Sequence, residues 1–265
     1  MGRRLETTVT DLATALDLRA RAHIAIVGGG GKTSLMFALA DELVVSGYRV
    51  LTTTTTKIRH REALRAPLAV FNLPESARHE RIARGLDKHK HVFFGRKLLS
   101  SGKVEGIDPL GADALYREHP ADFLIAEADG AAGRPLKAPA PHEPVIPASA
   151  TVVIAVMGLE AMGKNLTPEL VFRLERFQAL TGISLGMRVT PESLVRLFHS
   201  SKGLFKGAPP SARRVAFLNK RDLLSDHQEA FKLVDLLIRQ PVSAVDRVVV
   251  GTVHGGVYSV IRKKP

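Results

Sequence analysis

Four consecutive glycines, Gly28, Gly29, Gly30 and Gly31, run directly into Lys32, Thr33 and Ser34. That order of residue types suits the grip of a phosphate. Glycines let successive backbone N–H groups converge on an anion without Cβ clashes, and a helix starting at the lysine adds its positive dipole end. Lys32 would then reach the β- and γ-phosphates of a nucleoside triphosphate, GTP or ATP, and the Thr33 hydroxyl would ligate Mg²⁺. A second group of candidates follows in DFLIAEADGAAG, where Glu127 and Asp129 stand two residues apart after an apolar run. On a strand both would point to one face. Asp129 is expected to hold Mg²⁺, and Glu127 to activate a water or an acceptor hydroxyl.

Three further patterns carry chemistry. In LTTTTTK, the hydroxyls of Thr54, Thr55 and Thr56 and the ammonium of Lys57 stand where a strand should end, placed to touch phosphate or Mg²⁺. In GRPLKAPAPHEPVIP, five prolines stiffen a loop carrying Arg134, Lys137, His142 and Glu143, a form suited to an anionic acceptor or partner. In LNKRD, Asn219, Lys220 and Asp222 have the Asn-Lys-x-Asp spacing that reads guanine. A carboxylate there accepts from guanine N1–H and the 2-amino group, donors that adenine lacks. The GTVHGG segment at Gly251–Gly256 follows the last expected strand and could close over the base.

These groups need a frame that brings strand ends together. Short apolar runs alternate with amphipathic stretches, the rhythm of a mostly parallel sheet flanked by helices in a three-layer α/β sandwich of the P-loop NTPase kind. Strands are expected at 23–27, 48–53, 122–128, 151–157, 213–218 and 246–251. Leu35, Leu39 and Leu43 form one helical stripe, and Leu170, Leu174 and Phe177 another before Gly182. A further helix is expected over 223–239 and a polar one around 77–87. The stretch 58–120 is less regular and is expected to be an insertion in a single domain, with HVFFGRKLLSSGKVEGI read as a strand, a Ser-Gly turn and a returning strand.

Composition narrows the partners. The 265 residues carry a formal charge of +12, which attracts anionic ligands of any kind. Aromatic residues make up only 5% with no tryptophan, and no basic stripe is interleaved with stacking residues, so nucleic acid is not the expected partner. There is no cysteine, which excludes thiolate metal sites, thiol nucleophiles and selenium carried on a thiol, and fits a cytoplasmic protein. The longest apolar run, around Val152–Met157, is too short for a membrane span.

The loop departs from GxxxxGK(S/T), because Ile26 stands at the first glycine. It looks closer to the xGGxGKT form found in the P-loop class that includes ATP-dependent metal-insertion and partitioning proteins. Val27 stands where many of that class have a second lysine, which argues against dimer-activated hydrolysis of that type. Taken together, VGGGGKTS, LTTTTTK, EADGAAGRPLKAPAPHEPVIP, MGLEAMGKNL, LTG and LNKRD resemble the YqeC family from about residue 20 to 225. The resemblance implies an accessory role in maturation of selenium-dependent molybdenum hydroxylases. Its ligands would be a nucleoside triphosphate, a molybdenum-cofactor or selenium-related small molecule, and a maturation partner protein. The leading expectation is a Mg²⁺-dependent NTPase, with GTP preferred over ATP. The alternatives are a kinase or nucleotidyltransferase acting on a small anionic acceptor, and a non-catalytic nucleotide sensor or scaffold.

Overall fold

Strands that are covered on both faces read as unbroken apolar runs rather than as alternations, and the central strands of this protein are of that kind. A computed structural model describes residues 5–239 and 245–262. Along the first half run β1 (Leu5–Val9), α1 (Leu12–Ala15), β2 (Ala22–Gly28), α2 (Lys32–Val45), β3 (Val50–Thr54), β4 (Lys57–Arg59), α3 (His60–Ala63), β5 (Leu68–Val70), α4 (Glu75–His89), β6 (His91–Phe94), β7 (Lys97–Leu98) and β8 (Lys103–Glu105). There follow α5 (Pro109–Glu118), β9 (Phe123–Glu127), β10 (Leu136–Lys137), β11 (Val152–Gly158), β12 (Val171–Phe172), α6 (Leu174–Thr181), α7 (Pro191–His199), β13 (Arg213–Asn219), α8 (His227–Ile238), β14 (Arg247–Gly251) and β15 (Tyr258–Arg262). Every residue of β2, β3, β9 and β11 is buried.

Ten strands form one sheet in the order β1-β15-β14-β13-β11-β2-β9-β3-β6-β5. It is parallel from β14 to β5, while β15 and β1 close the other edge antiparallel. Alternation of side chains along β2 makes the three layers. Ile24 and Ile26 pack with Leu35, Leu39 and Leu43 of α2. Ala25 and Val27 face the opposite way, into a cluster with Phe177, Leu194, Leu197, Leu233 and Leu237 of α6, α7 and α8. A further cluster joins Leu51 and Leu124 of the sheet to Ile82 and Leu86 of α4 and Leu115 of α5.

All six expected strands and the helices at 35–43, 77–87 and 223–239 have counterparts. The stripe starting at Leu170 begins later, because Arg173 takes a left-handed conformation (φ 68°) and the helix opens only at Leu174. Leu170 instead precedes β12, which pairs with β10 in a two-stranded sheet. Within 58–120, β6 and β5 extend the main sheet beyond β3, and the Ser-Gly turn at Ser101–Gly102 joins β7 to β8. With β4 these two make a separate antiparallel sheet in the order β4-β8-β7.

Two buried histidines tie the sheet to pH. Burial pushes the His23 imidazole down to about 4, against the pull of Asp113, and burial likewise pushes His91 down to about 4. Lowered folded-state values mean that the unfolded chain binds more protons between the ordinary histidine value of 6.5 and about 4. Stability is therefore fully present above that window and falls as pH drops through it, by up to about 1.4 kcal/mol per pH unit for each histidine. A His91→Leu variant should show a shallower pH dependence of urea unfolding in the same window. Equal slopes in variant and parent would count against this assignment.

Candidate functional site

Gly28 ends β2 and Lys32 opens α2, so the glycine run is a strand-to-helix turn at the carboxyl edge of the sheet. Its backbone lies too close to its neighbours for side chains. A Cβ on Gly28 would stand 2.2 Å from the Val156 carbonyl oxygen, and one on Gly30 2.2 Å from the Gly158 nitrogen; both residues have positive φ, 98° and 77°. Three hydrogen bonds pin the turn: Gly29 N–H donates to Val156 O (3.0 Å), Gly30 N–H to Arg134 O (2.9 Å) and Asn219 Nδ2 to Gly30 O (2.8 Å), while Gly158 N–H at the end of β11 donates to Pro135 O (3.1 Å). The first main-chain bond of α2 runs from Leu35 N–H to Gly31 O (2.9 Å). The amides just before it open the helix without intrahelical acceptors, the arrangement that receives an anion.

Parallel pairing of β9 with β2, with Ile26 opposite Glu127, brings the two acids to this turn. Lys32 Nζ donates to Gly28 O (2.8 Å) and lies 3.3 Å from Asp129 Oδ1 and 3.6 Å from Glu127 Oε1. Thr33 Oγ1 donates to Glu127 Oε2 at 2.7 Å. Burial alone would lower the Lys32 pKa, but the Asp129 and Glu127 carboxylates outweigh it and hold the ammonium above its ordinary value. Burial raises Glu127 despite Lys32 and Thr33. The two acids thus differ in use. Asp129 accepts from Gly28 N–H on both oxygens (3.1 Å each) and pairs with Lys137 Nζ at 2.9 Å. Glu127 is the acid that meets the Thr33 hydroxyl.

Lys137 continues the chain of charges. Its side chain is fully buried, pairs with Glu143 at 2.7 Å and donates to Gly130 O at 2.6 Å. Glu143 in turn takes both guanidinium arms of Arg173. Although burial opposes it, these cations hold the Glu143 carboxyl down at about 2.

A cleft of 980 Å³ opens in front of the turn, lined among others by Gly31, Lys32, Thr33, Ser34, Glu127 and Arg134. Thr55, Thr56 and Lys57 line it, whereas Thr54 is buried behind them, donating to Glu127 O at 2.9 Å. Three of the non-glycine residues with positive φ, Ala132, Arg173 and Lys220, lie on its wall. Such conformations are costly and concentrate where function demands them.

Asn219 is buried and braces two loops at once, since its Oδ1 also accepts from Val253 N–H at 3.1 Å. Lys220 sits on the cleft wall and pairs with Glu160. Asp222 is exposed, outside the residues that line the cleft, with its Oδ1 accepting from Thr252 Oγ1 of the GTVHGG segment. His142 is exposed and also outside that lining. Arg173 and Glu160 were not among the sequence candidates. Both were without signal, because each acts through a partner distant in the chain.

Open parallel sheets take their ligands beyond the carboxyl ends of their strands, and this chain, with its glycine turn and facing acids at that edge, is an α/β protein of that class. The sequence model of the YqeC protein family matches residues 24–175. The YqeC protein of Escherichia coli (strain K12) is 35% identical over 244 residues, covering 91% of this chain and 93% of that protein. The chain belongs to the YqeC family. Among the described residues, no helix is long and apolar enough to cross a membrane.

Proposed function

We propose that this protein binds a Mg²⁺–nucleoside triphosphate at the glycine turn and hydrolyses it, with GTP preferred over ATP. The observation that carries the reading is the meeting of Lys32, Thr33 and Glu127 at the first turn of α2. Lys32 is held by Gly28 O and two carboxylates. With nucleotide, its ammonium exchanges carboxylate for phosphate oxygens, and the amides opening α2 receive the same phosphates. A hydroxyl beside a carboxylate is an oxygen donor set that fits a hard divalent cation. Thr33 and Glu127 are therefore the pair that would hold Mg²⁺, while Asp129 is occupied in fixing Gly28 and Lys137. Mg²⁺ would supply neutralisation of charge developing on the phosphates. Thr55 and Thr56 would contact the terminal phosphate from the opposite wall.

The base reading rests on the Asn-Lys-x-Asp spacing. Asn219 holds both the glycine turn and the start of the 253–256 loop and Lys220 sits on the cleft wall, while Asp222, bonded to Thr252 outside the cleft lining, would exchange that hydroxyl for the guanine donors. The accessory role in maturing a selenium-containing molybdenum cofactor or hydroxylase is drawn from the family's motifs, and the absence of cysteine restricts it to nucleotide chemistry or gating. Calorimetric titration with GTP and ATP analogues in the presence of Mg²⁺ tests the whole reading. Tighter GTP binding is expected, and Asp222→Asn should erode the preference about tenfold or more, the loss of a charge-assisted hydrogen bond. An unchanged ratio would remove Asp222 from the site, and no binding of either nucleotide would sink the proposal.

A further inference from the structure

Strands β4 and β8 of the small sheet form one wall of the cleft. Ile58 and Val104 are buried, Ile58 at the cleft's edge, while Lys57, Arg59, Lys103 and Glu105 line it. Register makes this face unusual, because Arg59 of β4 stands directly opposite Lys103 of β8. Like charges directly opposed across an antiparallel pair are destabilising. The acids nearby are already engaged. Glu105 pairs with Arg96 at 3.1 Å, Asp108 caps α5 by accepting from Gly111 N–H at 2.7 Å, and Glu62 accepts from Arg59 N–H at 3.1 Å. Arg134 adds another cation to the cleft lining.

A cleft that held only a nucleotide would not need this arrangement beside Thr55 and Thr56. Clefts for a single small ligand range from about 300 to 1,000 Å³, and this one, at 980 Å³, lies at the top of that range. We propose that the cleft face of the small sheet is a second, phosphate-binding subsite, where Lys57, Arg59 and Lys103 take the phosphate or pyrophosphate group of a small phosphorylated acceptor lying beside the nucleotide. The proposal rests on the nucleotide reading for its neighbour, but the cations and their register stand without it. The opposed pair Arg59 and Lys103 is a pre-formed grip whose repulsion is relieved when a dianion bridges it.

The test is titration of the full-length protein with inorganic pyrophosphate, in the presence of Mg²⁺ and a saturating fluorescent, non-hydrolysable GTP analogue. One pyrophosphate should bind per chain without displacing the analogue. Arg59→Ala/Lys103→Ala should weaken that binding about tenfold or more, as expected for loss of charge-assisted contacts, while raising the melting temperature of the ligand-free protein. Pyrophosphate that merely displaces the analogue, or that binds the double variant equally well, would overturn the proposal. So would a single-stranded oligonucleotide that outcompetes pyrophosphate with affinity growing with length, because the face would then serve a nucleic-acid backbone. If the analogue fails to bind but pyrophosphate uptake still depends on Arg59 and Lys103, the nucleotide reading falls and the subsite stands.

Discussion

Replacing Lys32 with alanine is expected to abolish nucleotide binding and, in the same step, to lower the stability of the ligand-free protein by about 3 kcal/mol or more. A lysine in an open phosphate cradle would be lost without harm to the fold. Here the ammonium is buried, donates to Gly28 O and lies between Asp129 and Glu127. Asp129 keeps Lys137 as a partner, so the uncompensated charge falls on Glu127. Burial already raises the Glu127 pKa with Lys32 present. Without Lys32 it rises further, and a raised folded-state value gives stability that is present at low pH and lost as pH rises. The destabilisation should therefore grow from about pH 4.5 towards neutrality. Urea unfolding of Lys32→Ala as a function of pH measures this directly. Lys32→Ala/Glu127→Gln should recover much of the stability and none of the nucleotide binding. A single variant as stable as the parent at pH 7 would show that Lys32 is not buried against the acids.

Lys137→Met should destabilise the protein by about 3–5 kcal/mol, the range for breaking a buried pair by removing one partner. In a chain of this size that lowers the melting temperature by roughly 6–20 °C. Lys137 has no exposed side-chain surface and joins Asp129 to Glu143. Its removal leaves Asp129 with Lys32 and Glu143 with Arg173, but takes away the one ammonium that both carboxylates share. The Glu143 carboxyl, held at about 2 largely by Arg173 and Lys137, should titrate higher in the variant. A small change in melting temperature with complete loss of ligand binding would instead place Lys137 among the groups that touch substrate.

Much of the frame was legible because fully buried parallel strands have no polar side to interrupt them, as HIAIV and TVVIAVM show. The glycine turn was legible for a related reason. Only glycine tolerates the close approach of β11 and positive φ at Gly28 and Gly30. What the sequence concealed is non-local. β6, from HVFF, has the composition of a core strand, yet nothing within it says that it pairs with β3 of the main sheet while its neighbours β7 and β8 fold into another. β10 and β12 have two residues each, too few to show any period. Lys137 and Glu143 sit in a proline-stiffened loop that suggests exposure, and their burial is made tolerable only by acids and cations arriving from elsewhere, Arg173 above all. The roles of the two acids were also beyond local pattern. Two residues apart on one strand end, Glu127 and Asp129 differ because one meets Thr33 and the other the Gly28 amide.

The bonds from Gly30 N–H to Arg134 O and from Gly158 N–H to Pro135 O tie the turn and the end of β11 to the same 134–135 backbone. A group that takes the Gly30 amide must displace the Arg134 carbonyl, and close-packed interiors pass such displacements on rather than absorb them. Lys137 lies two residues further along, bonded to Glu143 and through it to Arg173. Filling the Gly30 amide is therefore expected to shift the buried 135–140 backbone and reach Arg173, rather than end at the turn.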